Sequence, residues 1–280
     1  MNDLFTFTNS NMTTIKDKAG EEYWSTVWKN TDLPPAFEWQ KKSINNYPDR
    51  LLHQLFVRTF KDHKTHEMKL LEIGCGNSVL LPYLAKAFGF QVSRLDYSET
   101  GCEQSKRILE REKVKGNIVC ADAFNPPVDL IESFDVVCSF GVIEHFNDTK
   151  GTLSAFGKFL KPGGILVTTL PNMTAATGYL HKTMNPTVYH IHVPLSAEDM
   201  VKNLNAAGFK PQIAEYFTAL SFAITLEDTN GKKVPFYFAK KLFVKLLRYS
   251  SKIIWLIEDR TKPIKAGRIF SGGIFTSAIK

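Results

Sequence analysis

The sequence predicts a doubly wound α/β fold, and three observations carry that prediction. From Lys69 onward, short apolar runs alternate with helix-length segments, the pattern of a parallel sheet covered by helices on both faces. The first run, Leu70-Leu-Glu-Ile-Gly-Cys-Gly-Asn77, stops at Glu72 and breaks into a glycine turn. The next, Gln91-Val-Ser-Arg-Leu-Asp96, ends in a carboxylate twenty residues after Gly76. Gly74 and Gly76 let the backbone turn sharply and approach a ligand with no Cβ in the way, and Asp96 is placed to accept hydrogen bonds from a ribose diol. Two strand ends therefore converge on one sugar.

Taken in order, residues 1 to about 18 are rich in Asn and Thr and are expected to be loosely held. Residues 20 to 65 look helical, with breaks at Leu33-Pro-Pro35 and Tyr47-Pro48, and carry an aromatic cluster of Tyr23, Trp24, Trp28, Phe37 and Trp39. Beyond them the expected order is strand 69–73, helix 78–88, strand 91–95, helix 99–112, strands 117–120 and 134–139, helix 149–160, strand 164–169, helix 196–207 and strand 211–217. Ser196-Ala-Glu-Asp199 before an apolar-periodic run reads as a helix start, with Gly208 as its stop. The closing segment, Arg268 to Lys280, reads as a last strand. Two domains are expected: residues 1–65 as loose start and helical cap, and 66–280 as the main domain, with a basic helical insertion at about 232–262.

A dinucleotide fingerprint would need a third glycine where Val79 stands, and Glu72 repels phosphate, so a nucleoside with an uncharged linker suits the turn better than a pyrophosphate. These residues resemble the class I S-adenosylmethionine-dependent methyltransferases, in particular a small-molecule, ubiquinone-pathway-like O-methyltransferase branch, whose first motif is a strand ending in Glu/Asp-x-Gly-x-Gly. Val119-Cys-Ala-Asp122-Ala123, the run Phe134 to Phe146 and Leu160-Lys-Pro-Gly-Gly to Asn172 are similar to that family's later motifs, in order, over roughly residues 66 to 215. The resemblance implies a Rossmann-like sheet of seven strands, six parallel and the last antiparallel, with S-adenosylmethionine as cofactor. It also implies a helical cap closing over the cofactor.

The cofactor-binding set expected on these grounds is Glu72, Gly74, Cys75, Gly76, Asn77, Asp96, Tyr97, Asp122, Ala123, Phe140, Tyr23 and Arg50. The resemblance places the Asp122 acid against the adenine amino group, and Arg50 is a candidate for the cofactor carboxylate. Cap aromatics could hold the sulfonium by cation–π attraction, about 0.5 to 2 kcal/mol depending on desolvation, with Tyr23 and Trp28 foremost, or could anchor the cap to the core. Methyl transfer requires alignment of the acceptor and, for a hydroxyl or thiol, removal of its proton. His145, after the fourth strand, has an ordinary pKa suited to a base near neutrality, and Glu144 beside it either orients a ligand group or is structural. Trp28, His190 and His192 are candidate substrate contacts; the two histidines would share one face if Val188 to Pro194 were extended. Some ubiquinone-pathway relatives bind a divalent metal through two acids and the histidine, but Gly141 stands where the first acid would be, so no metal is expected.

The composition, 44% hydrophobic and 22% charged, is that of an ordinary globular protein. Four cysteines without Cys-x-x-Cys spacing read as reduced packing residues, and the N-terminus lacks a signal-peptide pattern, so a cytoplasmic protein is expected. Net charge is +7, yet the stretch from Gly231 to Lys280 holds twelve Lys and Arg against only Glu258 and Asp259. Within it, residues 236–257 form an amphipathic basic helix, which either lies on an anionic membrane surface or packs its apolar stripe on the sheet. Asn125-Pro-Pro-Val128 resembles an adenine-methylating signature but precedes the fourth strand, and Val128 cannot stack a base, which argues against nucleic acid. The expected activity is methyl transfer to a small or lipid-like acceptor, at oxygen before nitrogen or sulfur. The sequence leaves the oligomeric state open.

Overall fold

The structure is a computed structural model that describes residues 15–74, 76–226 and 233–280. Seven strands form one sheet: β1 (Lys69–Ile73), β2 (Gln91–Asp96), β3 (Gly116–Cys120), β4 (Phe134–Phe140), β5 (Leu160–Pro171), β6 (Lys210–Phe217) and β7 (Gly273–Ile279). Their order is β3-β2-β1-β4-β5-β7-β6, and β7 runs antiparallel to both β5 and β6 while the other six are parallel. The expected sheet of six parallel strands and one antiparallel strand is therefore present.

Both faces of the sheet are buried, which is why its central strands are continuously apolar rather than alternating. On one face Leu153 and Phe156 of α5 (Thr149–Gly157) and Met200 and Leu204 of α8 (Ala197–Ala206) pack against Leu71, Val137 and Leu166. On the other, Leu55, Phe56 and Phe60 of α2 (Tyr47–Phe60) and Leu81 and Leu84 of α3 (Leu80–Phe88) cover Leu70, Val136 and Val167. Each such side chain contributes about 1.5–3 kcal/mol by leaving water. Helix α2 thus belongs to the core layer, and only α1 (Glu21–Asn30), with no buried residue, stands apart as a cap. Between β2 and β3, α4 (Glu99–Glu112) is capped by Ser98, whose hydroxyl accepts from the Gly101 amide.

Most element boundaries fall within two residues of the sequence reading. One difference has a clear cause: the fifth helix stops at Gly157 and β5 begins at Leu160, because Phe134 already pairs with Leu160 before the Pro162-Gly163-Gly164 irregularity shifts the register. The capping box at Ser196 and Asp199 forms as expected, and Gly208 takes φ +88 just beyond the helix end. The segment 172–194 contains two helices, α6 (Ala176–Met184) and α7 (Pro186–His190), and the basic helix α9 spans Tyr237–Arg260.

The sheet order reverses at β1, whose neighbours are β2 and β4, so a crevice opens beyond the carboxyl ends of these three strands. One buried ion pair fixes its geometry. Glu72 and Arg94 face each other in the β1–β2 register, and the Arg94 Nη2 to Glu72 Oε2 distance is 2.8 Å with side chains 1% and 0% exposed. Arg94 Nη1 also donates to the Gly76 carbonyl at 3.2 Å and to Ser105 Oγ at 2.6 Å, tying turn, strand and α4 together. Burial pushes the Glu72 carboxyl up and the Arg94 charge pulls it back down. Arg94→Met, which leaves this carboxylate buried and alone, is expected to destabilise the fold by about 3–5 kcal/mol in urea denaturation. A loss under about 1 kcal/mol would show that the pair is not what holds the turn.

Candidate cofactor cleft

The glycine turn after β1 forms the floor. Gly74 has φ +75, and a Cβ there would sit 2.8 Å from Val142 Cγ2, so only glycine fits both the backbone and the space. Its amide donates to the Leu95 carbonyl at 2.8 Å, joining the turn to the end of β2. At Gly76 a Cβ would lie 2.6 Å from Gly101 Cα and 2.8 Å from Trp28 Nε1, so the turn, the start of α4 and the roof helix close on one point.

Gly141 and Val142, after β4, complete the floor, and Asp96 and Tyr97 form the wall at the end of β2. Asp96 is 5% exposed, its Oδ1 accepts from the Ser98 amide at 2.9 Å, and burial pushes its pKa up against these stabilising hydrogen bonds. Trp24 and Trp28 of α1, stacked at 5.6 Å, form the roof, and His145 and Phe146 close the far end. Asp17 enters from the N-terminal side, where its Oδ2 accepts from Tyr97 Oη at 2.7 Å and Trp24 Nε1 at 3.2 Å. The segment carrying it is pinned by the Lys18 amide to the His145 carbonyl at 2.8 Å and by Lys18 Nζ to the His192 carbonyl at 2.6 Å.

About 110 Å³ of cavity remains beneath the roof, below the roughly 300 Å³ at which small-molecule sites begin. A nucleoside ligand therefore requires α1 to lift, and a helix with no buried residue can do so at small cost. A larger open cavity between residues 36–41 and α3, lined by Trp39, Tyr83 and Lys86, includes neither Asp96 nor the glycine turn.

His145 is 5% exposed, with its Nδ1 3.0 Å from the Ile191 carbonyl. A carbonyl only accepts, so Nδ1 carries the proton and Nε2 holds the lone pair. His192 repeats this arrangement through Val188 at 2.6 Å, and the two rings lie 4.6 Å apart. Burial lowers both pKa values, that of His192 to about 4, so both rings are neutral near pH 7. Burial raises Glu144 to about 8, which leaves it a neutral acid behind His145. Donor atoms of Glu144, His145 and His192 lie within 4.8 Å of one another, a nitrogen-rich set that could take a first-row divalent cation after Glu144 gives up its proton.

Of the expected residues, the structure brings Gly74, Asp96, Tyr97, Trp28 and His145 to the cleft, with Gly76 beneath Trp28. Cys75 lies outside the described residues. Glu72 faces Arg94 instead of a ligand, and Asn77 is a half-buried turn residue that does not line the cleft. Asp122 is exposed at the end of β3, its Oδ1 accepting from the Phe124 amide at 2.9 Å, and Ala123 packs in the core. Phe140 is also core, edge-on to Phe56 at 5.8 Å. Tyr23 lies against the outer side of Trp24, and Trp24 takes the roof position instead. Arg50 is committed to Asp259 and to the Ser43 carbonyl, away from the cleft. His190 ends α7 and is exposed, because the segment is helical where the sequence suggested an extended run, and only His192 reaches His145. Asp17 was not anticipated, since nothing local marks it; its segment was expected to be loose.

A buried carboxylate at ribose height, a flat aromatic roof and a glycine floor fit S-adenosylmethionine. Among the described residues that line the cleft, none is Lys or Arg, which suits an uncharged linker better than a pyrophosphate. Fold and cleft together resemble those of the class I S-adenosylmethionine-dependent methyltransferases. Residues 71–168 match the family model described as "Methyltransferase domain". It is 31% identical over 110 residues to a ubiquinone biosynthesis O-methyltransferase of Mesorhizobium japonicum, covering 38% of this chain and 42% of the relative. A Pelagibacter ubique protein of the same name is 26% identical over 159 residues, covering 56% and 62%. A malonyl-[acyl-carrier protein] O-methyltransferase of Priestia megaterium is 27% identical over 139 residues, covering 48% and 49%. The chain thus spans less than two thirds of these relatives' length. Among solved structures, geranyl diphosphate C-methyltransferase from Streptomyces coelicolor has a TM-score of 0.56 at 13% identity, covering 92% and 97% of the two chains. The [4+2]-cyclase SpnF has a TM-score of 0.55 at 16% identity, covering 94% and 96%. At these identities the likeness concerns the fold alone.

Asp96→Ala is expected to weaken S-adenosylmethionine binding by about 1 to 3 kcal/mol in calorimetry, the loss of charge-assisted acceptors; unchanged affinity would remove Asp96 from the site. The buried acid and histidine act on stability with opposite signs. Glu144 binds its proton more tightly folded than unfolded, so stability falls as pH rises from its ordinary 4.5 to about 8. His192 does the reverse, so stability falls as pH drops from 6.5 to about 4. Glu144→Gln should therefore raise Tm at alkaline pH by at least about 2–4 °C, the shift of one kcal/mol, and leave it unchanged near the ordinary carboxylate pKa. An equal shift at both ends of the pH scale would contradict a buried neutral acid.

Proposed function

We propose that this protein transfers the methyl group of S-adenosylmethionine to a hydroxyl oxygen of a small-molecule or lipid-like acceptor, with His145 as general base. The observation that carries this reading is the fixed tautomer of His145. Its Nδ1–H is held by the Ile191 carbonyl, so Nε2 is the basic nitrogen of a residue that lines the same cleft as Asp96 and Gly74. Bound S-adenosylmethionine supplies an electrophilic methyl on a sulfonium leaving group. The chain's part is to hold the ribose with Asp96, to shield the cleft from water with Trp24 and Trp28, and to receive the acceptor's proton at Nε2. Trp24 lies edge-on to His145 at 4.7 Å, and the His192 ring lies 4.6 Å from it, so the ring cannot swing freely. The curated relatives named for O-methyl transfer favour oxygen, and transfer to nitrogen or sulfur is the alternative. The roof and the His192 side of the site would then supply acceptor contacts, with Trp28 and His192 foremost. The Glu144–His145–His192 donor set leaves a cation-assisted variant of the same reaction open to test by chelation.

His145→Ala is expected to lower kcat by about 10² to 10⁴ while leaving S-adenosylmethionine affinity within a factor of about three. Retained kcat would place the base elsewhere, and a parallel loss of cofactor binding would make His145 structural. Because burial depresses the His145 pKa, activity should be flat across neutral pH and fall only below about 6.5.

A further inference from the structure

Helix α9 is docked to the body by one narrow face. Val244, Ser251 and Glu258 are buried at a seven-residue spacing, Trp255 Nε1 donates to the Leu220 carbonyl at 2.8 Å, and Asp259 pairs with Arg50. Five of its large apolar side chains point the other way. Leu242, Leu246 and Ile253 are 61%, 59% and 59% exposed, and Tyr249 and Ile257 continue the row. At 100° per residue these five fall within a sector about 80° wide, diametrically opposite the buried face. The apolar stripe therefore does not pack on the sheet, and an ordinary solvent-facing helix does not present such a continuous row.

Lys241, Lys245, Arg248 and Lys252 occupy the sector between the two faces, so one shoulder of the apolar row is wholly basic. Neither helix acid offsets it: Glu258 is buried and Asp259 is spent on Arg50. On that shoulder a cavity of about 420 Å³ opens between the helix and residues 224–226, lined by Lys241, Lys245 and Arg248 over the apolar Leu226 and Val244. We propose that α9 lies flat on an anionic lipid surface, its Leu242–Ile257 row in the acyl boundary and its basic shoulder against phosphate headgroups. Among the described residues no helix is long and apolar enough to cross a membrane, so the contact is interfacial rather than spanning. Charge complementarity selects this occupant: the basic excess of the chain lies wholly in its last fifth, the rest being net acidic, and nucleic acid would leave the apolar row in water.

The test is cosedimentation of the full chain with vesicles of mixed phosphatidylcholine and phosphatidylglycerol, and with phosphatidylcholine alone. Saturable binding to the anionic vesicles and little to the neutral ones is expected. Leu242→Gln/Leu246→Gln/Ile253→Gln and Lys241→Gln/Lys245→Gln/Lys252→Gln should each bind roughly tenfold or more weakly. Five of these positions are exposed and Lys252 is half-buried, so both variants should keep native Tm and S-adenosylmethionine affinity, which separates failure of this proposal from failure of the methyltransferase reading. Absent binding to anionic vesicles, or undiminished binding by the first variant, overturns it. So does a dimer in ultracentrifugation that the first variant makes monomeric and vesicles do not dissociate, since the row would then be an interface between copies.

Discussion

The cleft depends on a charge pair placed where neither charge meets water. Glu72 and Arg94 sit opposite each other on adjacent parallel strands, and the guanidinium reaches past the carboxylate to the Gly76 carbonyl and Ser105. A buried pair of this kind adds little net stability compared with apolar side chains of similar volume, because desolvation consumes the Coulomb gain. What it adds here is position. The planar donor fork sets the height of the glycine turn relative to β2, and with it the distance between Gly74 and Asp96 across which a nucleoside must fit. An acid in the family's first motif is thereby given a structural task before any ligand arrives.

Around that frame, rigidity is unevenly distributed in a way that suits a binding site. The floor and wall are made from strand ends and a capped helix start, both anchored in a core layer on each side of the sheet. The roof is a ten-residue helix with no buried side chain, held by Trp28, by the Asp17 carboxylate and by Ser25 against Ser98. Opening therefore breaks a few polar contacts and the edge-on contact of Trp24 with His145 rather than a packed interface. The same roof touches His145 through Trp24, so a displacement of α1 would also change the surroundings of the His145 ring.

The parts of this arrangement that are local in sequence were legible in it. The turn Glu72 to Gly76 and the acid at the end of β2 follow from strand endings and glycines alone, whereas the sheet of six parallel strands and one antiparallel strand was implied by the family resemblance. Arg94 was legible in principle, as a lone cation within an apolar strand whose register partner is a lone acid. Asp17 was not, because it meets Tyr97 across 80 residues of sequence and its own neighbours suggested a loose tail. The pairing of His145 with His192 likewise required the α7 turn, which the alternating histidines concealed. For α9, periodicity gave the helix, its apolar stripe and its interleaved basic residues, but only tertiary packing decides which face is buried, and it is the narrow Val244–Ser251–Glu258 face rather than the wider apolar one.

The fold by itself does not choose a reaction, as its likeness to both a C-methyltransferase and a [4+2]-cyclase shows. The central claim is that the cleft beneath Trp24 and Trp28 holds S-adenosylmethionine. Those two indoles form the roof, so a tryptophan fluorescence titration reads the claim directly. A saturable change with S-adenosylmethionine and S-adenosylhomocysteine, abolished in Trp24→Phe/Trp28→Phe but retained in Trp39→Phe, is the expected result. No saturable change with either ligand, or a change that follows Trp39 instead, would contradict it.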